Sequence, residues 1–240
     1  MARPLFEPSP AGAGAGRRRR GGALWAGLVL VAAGCVLLGY AGWQFFGTNL
    51  VSQRKQERIV DETIAAWSRP QPAPVPARRG SRPAAGVAAA LVRIPAFGER
   101  YRVPVQEGVS DRVLAEGLGH FRGTANPGEV GNFALAGHRV THGEPLRDLP
   151  SLRPGDEVVV ETRDRSFTYR LDTDPRDLVV TFEDVWVIAD LPRNPAGGAQ
   201  PVQRPGQRLI TLTTCSELFH TDNRMIAFGH LVSSRPRSTR

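Results

Sequence analysis

A cysteine near the carboxyl end of the chain is a candidate nucleophile. The sequence has two cysteines, Cys35 and Cys215, and Cys35 lies within a long apolar run. Cys215 ends the segment RLITLTTC, in which strand alternation places Thr211, Thr213 and Cys215 on one face. The thiolate, rather than the thiol, is the reactive species, so a reactive cysteine needs charged or basic neighbours. Without them, Cys215 would be a packed structural residue.

Arg224 is a candidate partner for this cysteine. It lies nine residues after Cys215, at the start of the next β-like segment, RMIAFGHLV. If the two segments form an antiparallel hairpin, Cys215 and Arg224 are nearly opposite, with Cβ atoms roughly 5 Å apart. A permanent cation at this distance would stabilise a thiolate and, later in a reaction, an acyl oxyanion.

A thiol nucleophile also needs a proton acceptor, for which a histidine is suited. His138 is the best candidate, because it follows the apolar segment NFALAG at a glycine turn, where a rigid strand would present the ring at a rim. For any single histidine, a structural role is the competing interpretation. The five histidines are His120, His138, His142, His220 and His230.

From about residue 87 the sequence consists of short β-branched runs separated by Gly, Pro and Asp turns, which favours an all-β domain. About eight strands within one domain predict a closed or nearly closed barrel, since closure removes unpaired strand edges. One short helix is predicted at 111–116 with Ser110 as its N-cap, and a turn at 154–156. The predicted strands are 91–94, 101–105, 132–136, 157–161, 167–171, 178–182, 186–188, 208–214 and 225–232.

These same residues resemble the sortase family. TLTTC at 211–215 resembles the family signature TLxTC, NFALAGHR at 132–139 resembles the segment that carries the sortase histidine, and Arg224 occupies the place of the sortase arginine. The similarity extends over essentially residues 88–233 and looks most like class E, the actinobacterial housekeeping-type group. It includes the segments 119–129, 152–162 and 184–189.

The resemblance implies an eight-stranded sortase-type β-barrel and a cysteine transpeptidase. Cys215 would attack the Thr-Gly bond of an LAxTG- or LPxTG-like sorting motif in a secreted protein, His138 would transfer protons, and Arg224 would bind the oxyanion. Thr213 and Thr214, next to the cysteine, are predicted to contact the substrate. The acceptor would be a cell-wall amine such as that of a lipid II-like peptide. The resemblance implies no cofactor, and no metal-ligating residue is predicted, with a role for calcium left open.

One residue departs from the family pattern. Related sequences often carry an aromatic residue shortly after the histidine, where this chain has His142 in AGHRVTHG. A second imidazole four residues from His138 would alter motif preference or local proton chemistry, or else it would be a solvent-facing loop residue. His120 would shape the site or have a structural role.

The segment before this domain predicts a membrane anchor. Residues 23–43 form an uncharged apolar run of 21 residues, long enough for one transmembrane helix. Arg17 to Arg20 precede it, which favours a cytoplasmic N-terminus and an extracellular catalytic domain. The predicted organisation is therefore a cytoplasmic tail (1–22), the helix (23–43), a polar helix and Pro-rich spacer (44–87), the catalytic domain (88–234) and a basic tail (235–240).

Charge argues against a nucleic-acid partner. The chain carries a formal net charge of +8, but residues 88–234 hold 16 Arg, no Lys and 19 acidic residues. The excess basic residues lie in the terminal segments, so the predicted domain lacks the basic footprint that phosphate binding requires.

Several other functions fit parts of the pattern. An L,D-transpeptidase also uses Cys, His and Arg, but its SHGCxR-like run does not occur here. Papain-like proteases place the cysteine before the histidine, the reverse of this order. Two alternatives stay open: a pilin-polymerising sortase, which would usually carry an N-terminal lid, and a non-catalytic, membrane-tethered β-barrel that binds a partner.

Overall fold

The structure is a computed structural model that describes residues 17–43, 48–69, 88–215 and 222–237. It divides into two units, Met1–Phe45 and Phe46–Arg240. Three predicted segments lie wholly or partly outside the described residues: most of the basic N-terminal tail, the Pro-rich spacer and the end of the C-terminal tail. The same holds for His220 and for the segment that joins Cys215 to the following strand.

The first unit contains helix α1, Arg17–Gly42. It begins within the arginine cluster and includes most of the apolar run predicted to cross a membrane. Among the described residues, no helix satisfies both the length and the hydropathy expected of a membrane span.

In the second unit, the described residues form nine strands. Eight of them close into a barrel in the order β6-β5-β1-β2-β3-β4-β8-β9, because β6 also pairs with β9, and β7 extends the sheet along β9. The all-β barrel prediction is thereby confirmed. The strands are β1 Ala90–Arg93, β2 Val103–Glu107, β3 Leu118–His120, β4 Gly131–Ala136, β5 Glu157–Glu161, β6 Arg165–Leu171, β7 Val179–Thr181, β8 Arg208–Cys215 and β9 Asn223–Pro236.

The barrel interior is filled by the inward-facing residues of these strands. In β8, Ile210 and Leu212 are fully buried in the main core, as the alternation of RLITLTTC predicts. Phe133 and Leu135 of the neighbouring β4 belong to the same core. The residues on the opposite face of β8 therefore lie outside this core, on the side that supports the site.

Helix α2, Thr48–Ser68, packs along the barrel. Its buried residues recur every three or four positions, which aligns them on one helical face. The sequence predicted a polar helix in this segment but did not predict its packing against the barrel, with which α2 forms one unit. The buried residues are Ser52, Gln56, Ile59, Val60, Thr63 and Trp67.

Two local predictions differ from the structure. Val185–Ile188 is a 3-10 helix rather than a strand, because Asp184 accepts hydrogen bonds from the backbone N–H and the hydroxyl of Thr181 and turns the chain. The short strand β3 was missed. Helix α3 spans Asp111–Leu114, with Ser110 at its N-cap position but without a side-chain capping bond.

Candidate active site

The end of β8 that carries Cys215 lies between two strands that bring the other candidate residues to it. Strand β4 runs parallel to β8, with Ala136 opposite Thr213. If the same register is continued by two residues, position 138 lies opposite position 215. On the other side, β9 runs antiparallel to β8, and Cys215 is paired with Arg224, as the predicted hairpin requires. Since neighbouring strands are about 4.8 Å apart, the backbone of Cys215 lies between those of His138 and Arg224.

The loop that follows β4, residues 137–145 and hereafter the histidine loop, is tied to the barrel at its base. The backbone N–H of Gly137 donates to the carbonyl of Thr213 at 3.1 Å, and the Thr214 hydroxyl donates to the carbonyl of Gly137 at 2.7 Å. The N–H of Leu146 closes the loop by donating to the carbonyl of His138 at 2.9 Å. His138 is thus presented by two adjacent strand ends.

Gly137 is required by packing at this point. A Cβ atom there would lie 2.5 Å from Cδ2 of Leu118 and 3.0 Å from Cγ of Leu146. Both neighbours belong to the barrel core, so the loop base has no room for a side chain. The glycine turn noted before His138 therefore lets the strand end lie directly on the core.

His138 is half-buried, and its Nε2 atom has no hydrogen-bond partner among the described residues. Burial, together with proximity to His142 and Arg224, lowers the pKa of His138 to about 4, whereas Asp111 opposes the shift. The ring is therefore neutral at pH 7. In this form its free nitrogen is able to accept or donate a proton at the site.

His142 stacks on His138. The two ring centroids are 4.8 Å apart, with an angle of 28° between the ring planes. The expectation of a solvent-facing loop histidine is not met, because His142 is half-buried and covers the candidate catalytic ring. Stacking of two neutral imidazoles is tolerated, but a proton on one ring disfavours a proton on the other.

His120 has a structural role. It is buried, and its Nδ1 donates to Glu107 Oε2 at 2.9 Å. Its Nε2 lies 2.9 Å from the Thr124 hydroxyl, and its ring is 4.8 Å from that of Phe133. His230 is likewise engaged, with its Nδ1 2.7 Å from Asp172 Oδ1. Neither histidine lines the cleft described next.

A cleft of about 500 Å³ connects the candidate residues. His138, Arg224, Thr213 and Thr214 all line it. The two threonines are buried, and the Thr214 hydroxyl is already bonded to the loop, so its side chain supports the site. Contact with substrate by either threonine stays a prediction.

One wall of the cleft is apolar and exposed. Phe182 and Val185 are 58% and 69% exposed, respectively, although both are large apolar residues. They lie beside Val180 and Ile188, which also line the cleft. Exposed apolar surface beside a polar site is typical of ligand grooves. The sequence predicted strands at 178–182 and 186–188 but did not indicate that these residues line the site.

Helix α2 also contacts the site, which the sequence analysis did not predict. Asn49 and Gln56 form hydrogen bonds with the histidine loop. Within the described residues, no group of three or more His, Cys, Asp or Glu side chains is arranged to hold a metal ion.

Comparison with known proteins identifies similar chains. The family model "Sortase domain" matches residues 92–232. The chain is 36% identical over 221 residues to Sortase SrtE1 from Streptomyces coelicolor, covering 88% of this chain and 58% of that protein. It therefore spans less than two thirds of the length of this relative.

Solved structures show the same similarity. The crystal structure of sortase E1 from Streptomyces coelicolor, which has a tripeptide in its active site, is 39% identical, with a TM-score of 0.55, and the match covers 62% of this chain and 91% of that one. Sortase E from Streptomyces avermitilis is 41% identical, with a TM-score of 0.53 and coverage of 62% and 90%.

Proposed function

Since the chain belongs to the sortase family and is similar to class E members, we propose that it is a transpeptidase with Cys215 as nucleophile, His138 as proton donor and acceptor, and Arg224 as oxyanion ligand. One observation carries this assignment. The strand end that bears Cys215 is flanked by the strand end that presents His138 and by Arg224, its direct pairing partner.

The first half of the reaction forms a thioester. The thiolate of Cys215 attacks the carbonyl carbon of a peptide bond, and Arg224 stabilises the negative charge that develops on the carbonyl oxygen. When the C–N bond breaks, the leaving amine takes a proton from the imidazolium form of His138. The thiolate and imidazolium forms are therefore required together at the start of the step.

The second half transfers the acyl group. Neutral His138 removes a proton from the incoming amine, which attacks the thioester carbon. The C–S bond breaks, Cys215 leaves as a thiolate, and a new amide is formed. Because the pKa of His138 is lowered to about 4, chiefly by burial, only a minority of molecules carries the imidazolium before substrate binds.

The cleft supports a peptide substrate with apolar side chains. Its wall of Val180, Phe182, Val185 and Ile188 offers exposed apolar surface beside the candidate catalytic residues. A similar sortase has been solved with a tripeptide in its active site. We propose that an LAxTG- or LPxTG-like motif of a secreted protein lies along this wall, with its Thr-Gly bond at Cys215.

We also propose a location and an acceptor. The uncharged run 23–43 behind Arg17 to Arg20 supports a single-pass membrane protein with the barrel outside the cell. At that surface the acceptor would be a cell-wall amine, and the donor a secreted protein with a C-terminal sorting signal.

A ligation assay tests the proposed activity. The purified chain is incubated with LAxTG or LPxTG peptides and an amine, and products are identified by mass spectrometry. We expect a product in which the amine is joined to the carboxyl group of the motif's Thr with release of the Gly-containing fragment, and a thioester adduct on Cys215 that is trapped when the amine is omitted. Cys215→Ala should remain folded but form neither product. Ligation by Cys215→Ala would exclude Cys215 as the nucleophile and refute the proposal.

A further inference from the structure

The inner face of α2 reaches from the barrel wall to the histidine loop. Ile59, Val60 and Trp67 pack with Ala88 and Leu91 in an apolar cluster against the barrel. This packing fixes the axis of the helix. The residues about one to three turns N-terminal to Ile59, on the same face, then meet the histidine loop.

Asn49 and Gln56 hold this loop through hydrogen bonds. Asn49 Nδ2 donates to Glu144 Oε1 at 2.6 Å, and Asn49 Oδ1 accepts from the backbone N–H of Gly143 at 3.1 Å. Gln56 Nε2 donates to the carbonyl of His142 at 2.9 Å. Asn49 and Gln56 are seven residues apart, which is close to two helical turns, so both side chains project from one face.

The loop backbone at these contacts has a costly conformation. His142, Gly143 and Glu144 have φ angles of 54°, 81° and 53°, three left-handed residues in a row. A left-handed non-glycine residue costs of order 1–3 kcal/mol and persists only where its surroundings enforce it. Contacts from α2 are made to each of these three residues.

The helix and the loop are also in close contact. A Cβ atom at Gly143 would lie 2.8 Å from Gln56 Nε2, so the glycine allows the amide to reach the carbonyl of His142. The ring of His142 in turn covers that of His138, with centroids 4.8 Å apart. The position of α2 therefore fixes the position of His142, and the ring of His142 contacts that of His138, the candidate proton donor.

We propose that α2 is a positioning element of the active site, and that Asn49 and Gln56 are positioning residues that hold His142 and, through its ring, His138. This inference rests on the proposed function for its catalytic consequence. The contact between helix and loop is open to a test that does not depend on activity.

The test uses the full-length chain with Asn49→Ala, Gln56→Ala and the double variant. Gln56→Glu is a sharper variant, because it keeps the side-chain length but replaces the N–H donor with an acceptor that faces the His142 carbonyl. Glu57→Ala, on the exposed face of the same helix, is the matched control. Alanine favours helices, so α2 itself should persist in these variants.

Two readouts report on the loop directly. We expect Asn49→Ala to accelerate hydrogen exchange of the Gly143 amide, which loses its acceptor. We expect Gln56→Ala and Gln56→Glu to shift the imidazole NMR signals of both His138 and His142. The control should change neither. Unchanged Gly143 exchange and unchanged imidazole signals in the double variant would overturn the proposal.

A third readout separates positioning from substrate binding. Misplacement of a catalytic group by about 1 Å costs on the order of 100-fold in rate, so we expect kcat of the double variant to fall by about 10- to 100-fold, with little change in KM and a shifted pH profile. Wild-type kcat and pH profile in the double variant would overturn the catalytic consequence. If the wild-type chain ligates nothing, the proposed function fails, while the exchange and NMR readouts still decide whether α2 holds the loop.

Discussion

The surroundings of His138 disfavour a positive charge on its ring. Its ring is half-buried, stacks on His142 and lines a cleft with Arg224. These neighbours act in the same direction as burial, and Asp111 acts against them. As the pH falls, the unfolded chain takes up a proton at the ordinary histidine pKa of about 6.5, whereas folded His138 does so only near 4. The stability that neutral His138 contributes to the folded chain is therefore lost as the pH falls from about 6.5 to about 4.

The first residue-scale prediction concerns this proton. In an NMR titration, we expect the imidazole of His138 to titrate near pH 4, and His142→Phe to raise this midpoint because the stacked ring can no longer carry a charge. His230→Gln, at a histidine paired with Asp172 and remote from the cleft, serves as control and should leave it unchanged. A wild-type midpoint at the ordinary value of about 6.5 would contradict the assigned environment.

The second residue-scale prediction concerns Arg224. If only positive charge mattered, Arg224→Lys would retain most activity. A lysine is a point charge and cannot reproduce the directed pair of N–H donors of a guanidinium. Loss of an oxyanion donor costs on the order of 100-fold or more, and we expect this decrease in single-turnover acylation of Cys215.

The fold should survive Arg224→Lys, since the residue lies at a strand end and is only half-buried. Thermal unfolding of the variant should match that of the wild type, and Arg176→Lys, at an exposed site, should match it in both assays. Near-wild-type acylation by Arg224→Lys would refute the directed-donor role, and a collapse in stability would make Arg224 a structural residue.

At the scale of elements, the sequence predicted the strands better than their partners. Alternation in RLITLTTC correctly places Ile210 and Leu212 in the core, and the hairpin of β8 and β9 follows from proximity in the chain. The parallel pairing of β4 with β8 was not predicted, because these strands are far apart in sequence. His138 was selected from its local context and the family motif, not from this pairing.

The 3-10 helix Val185–Ile188 shows why one wall of the cleft was missed. Its β-branched composition favours a strand, but its carbonyls are bound by a side chain of the barrel. Asn132 Nδ2 donates to the carbonyls of Val187 and Ala189 at 3.1 Å each, and Asn132 Oδ1 accepts from the Thr211 hydroxyl at 2.8 Å. Such a buried network depends on tertiary structure and has no signature in the local sequence.

The element-scale prediction follows from this network. Each buried polar group left without a partner costs about 1–3 kcal/mol, so we expect Asn132→Ala to lower the free energy of unfolding by at least about 2 kcal/mol. It should also raise KM for the peptide, because the apolar wall that carries Val185 is released. Chemical denaturation and the ligation assay provide the two measurements. Asn126→Ala, at an exposed site, is the control, and equal stability of both variants would contradict the structural role of Asn132.

At the scale of the whole molecule, the barrel and α2 form one unit. The sequence indicated the polar helix and the barrel separately, but not their contact, because Asn49 and Gln56 bind loop residues that are 86 to 95 positions away. The apolar residues Val60, Ile64 and Trp67, whose spacing puts them on one helical face, were the available signal. The candidate catalytic residues came from a local motif, whereas the elements that hold them required the fold.

The charge distribution leads to the last prediction, which concerns orientation in the cell. The side of the apolar run that holds Arg3 and Arg17 to Arg20 has five basic residues, against three at Arg54, Lys55 and Arg58, so the positive-inside rule places the N-terminus in the cytoplasm. Trypsin added to intact cells should then cleave after Arg78 or Arg79 in the Pro-rich stretch and yield a fragment containing the barrel sequence, while a cytosolic marker stays intact. Replacing Arg17 to Arg20 with alanine removes the bias and should reduce the cleaved fraction. Complete protection of the wild-type barrel, in cells whose lysate yields the fragment on trypsin treatment, would refute the outward orientation.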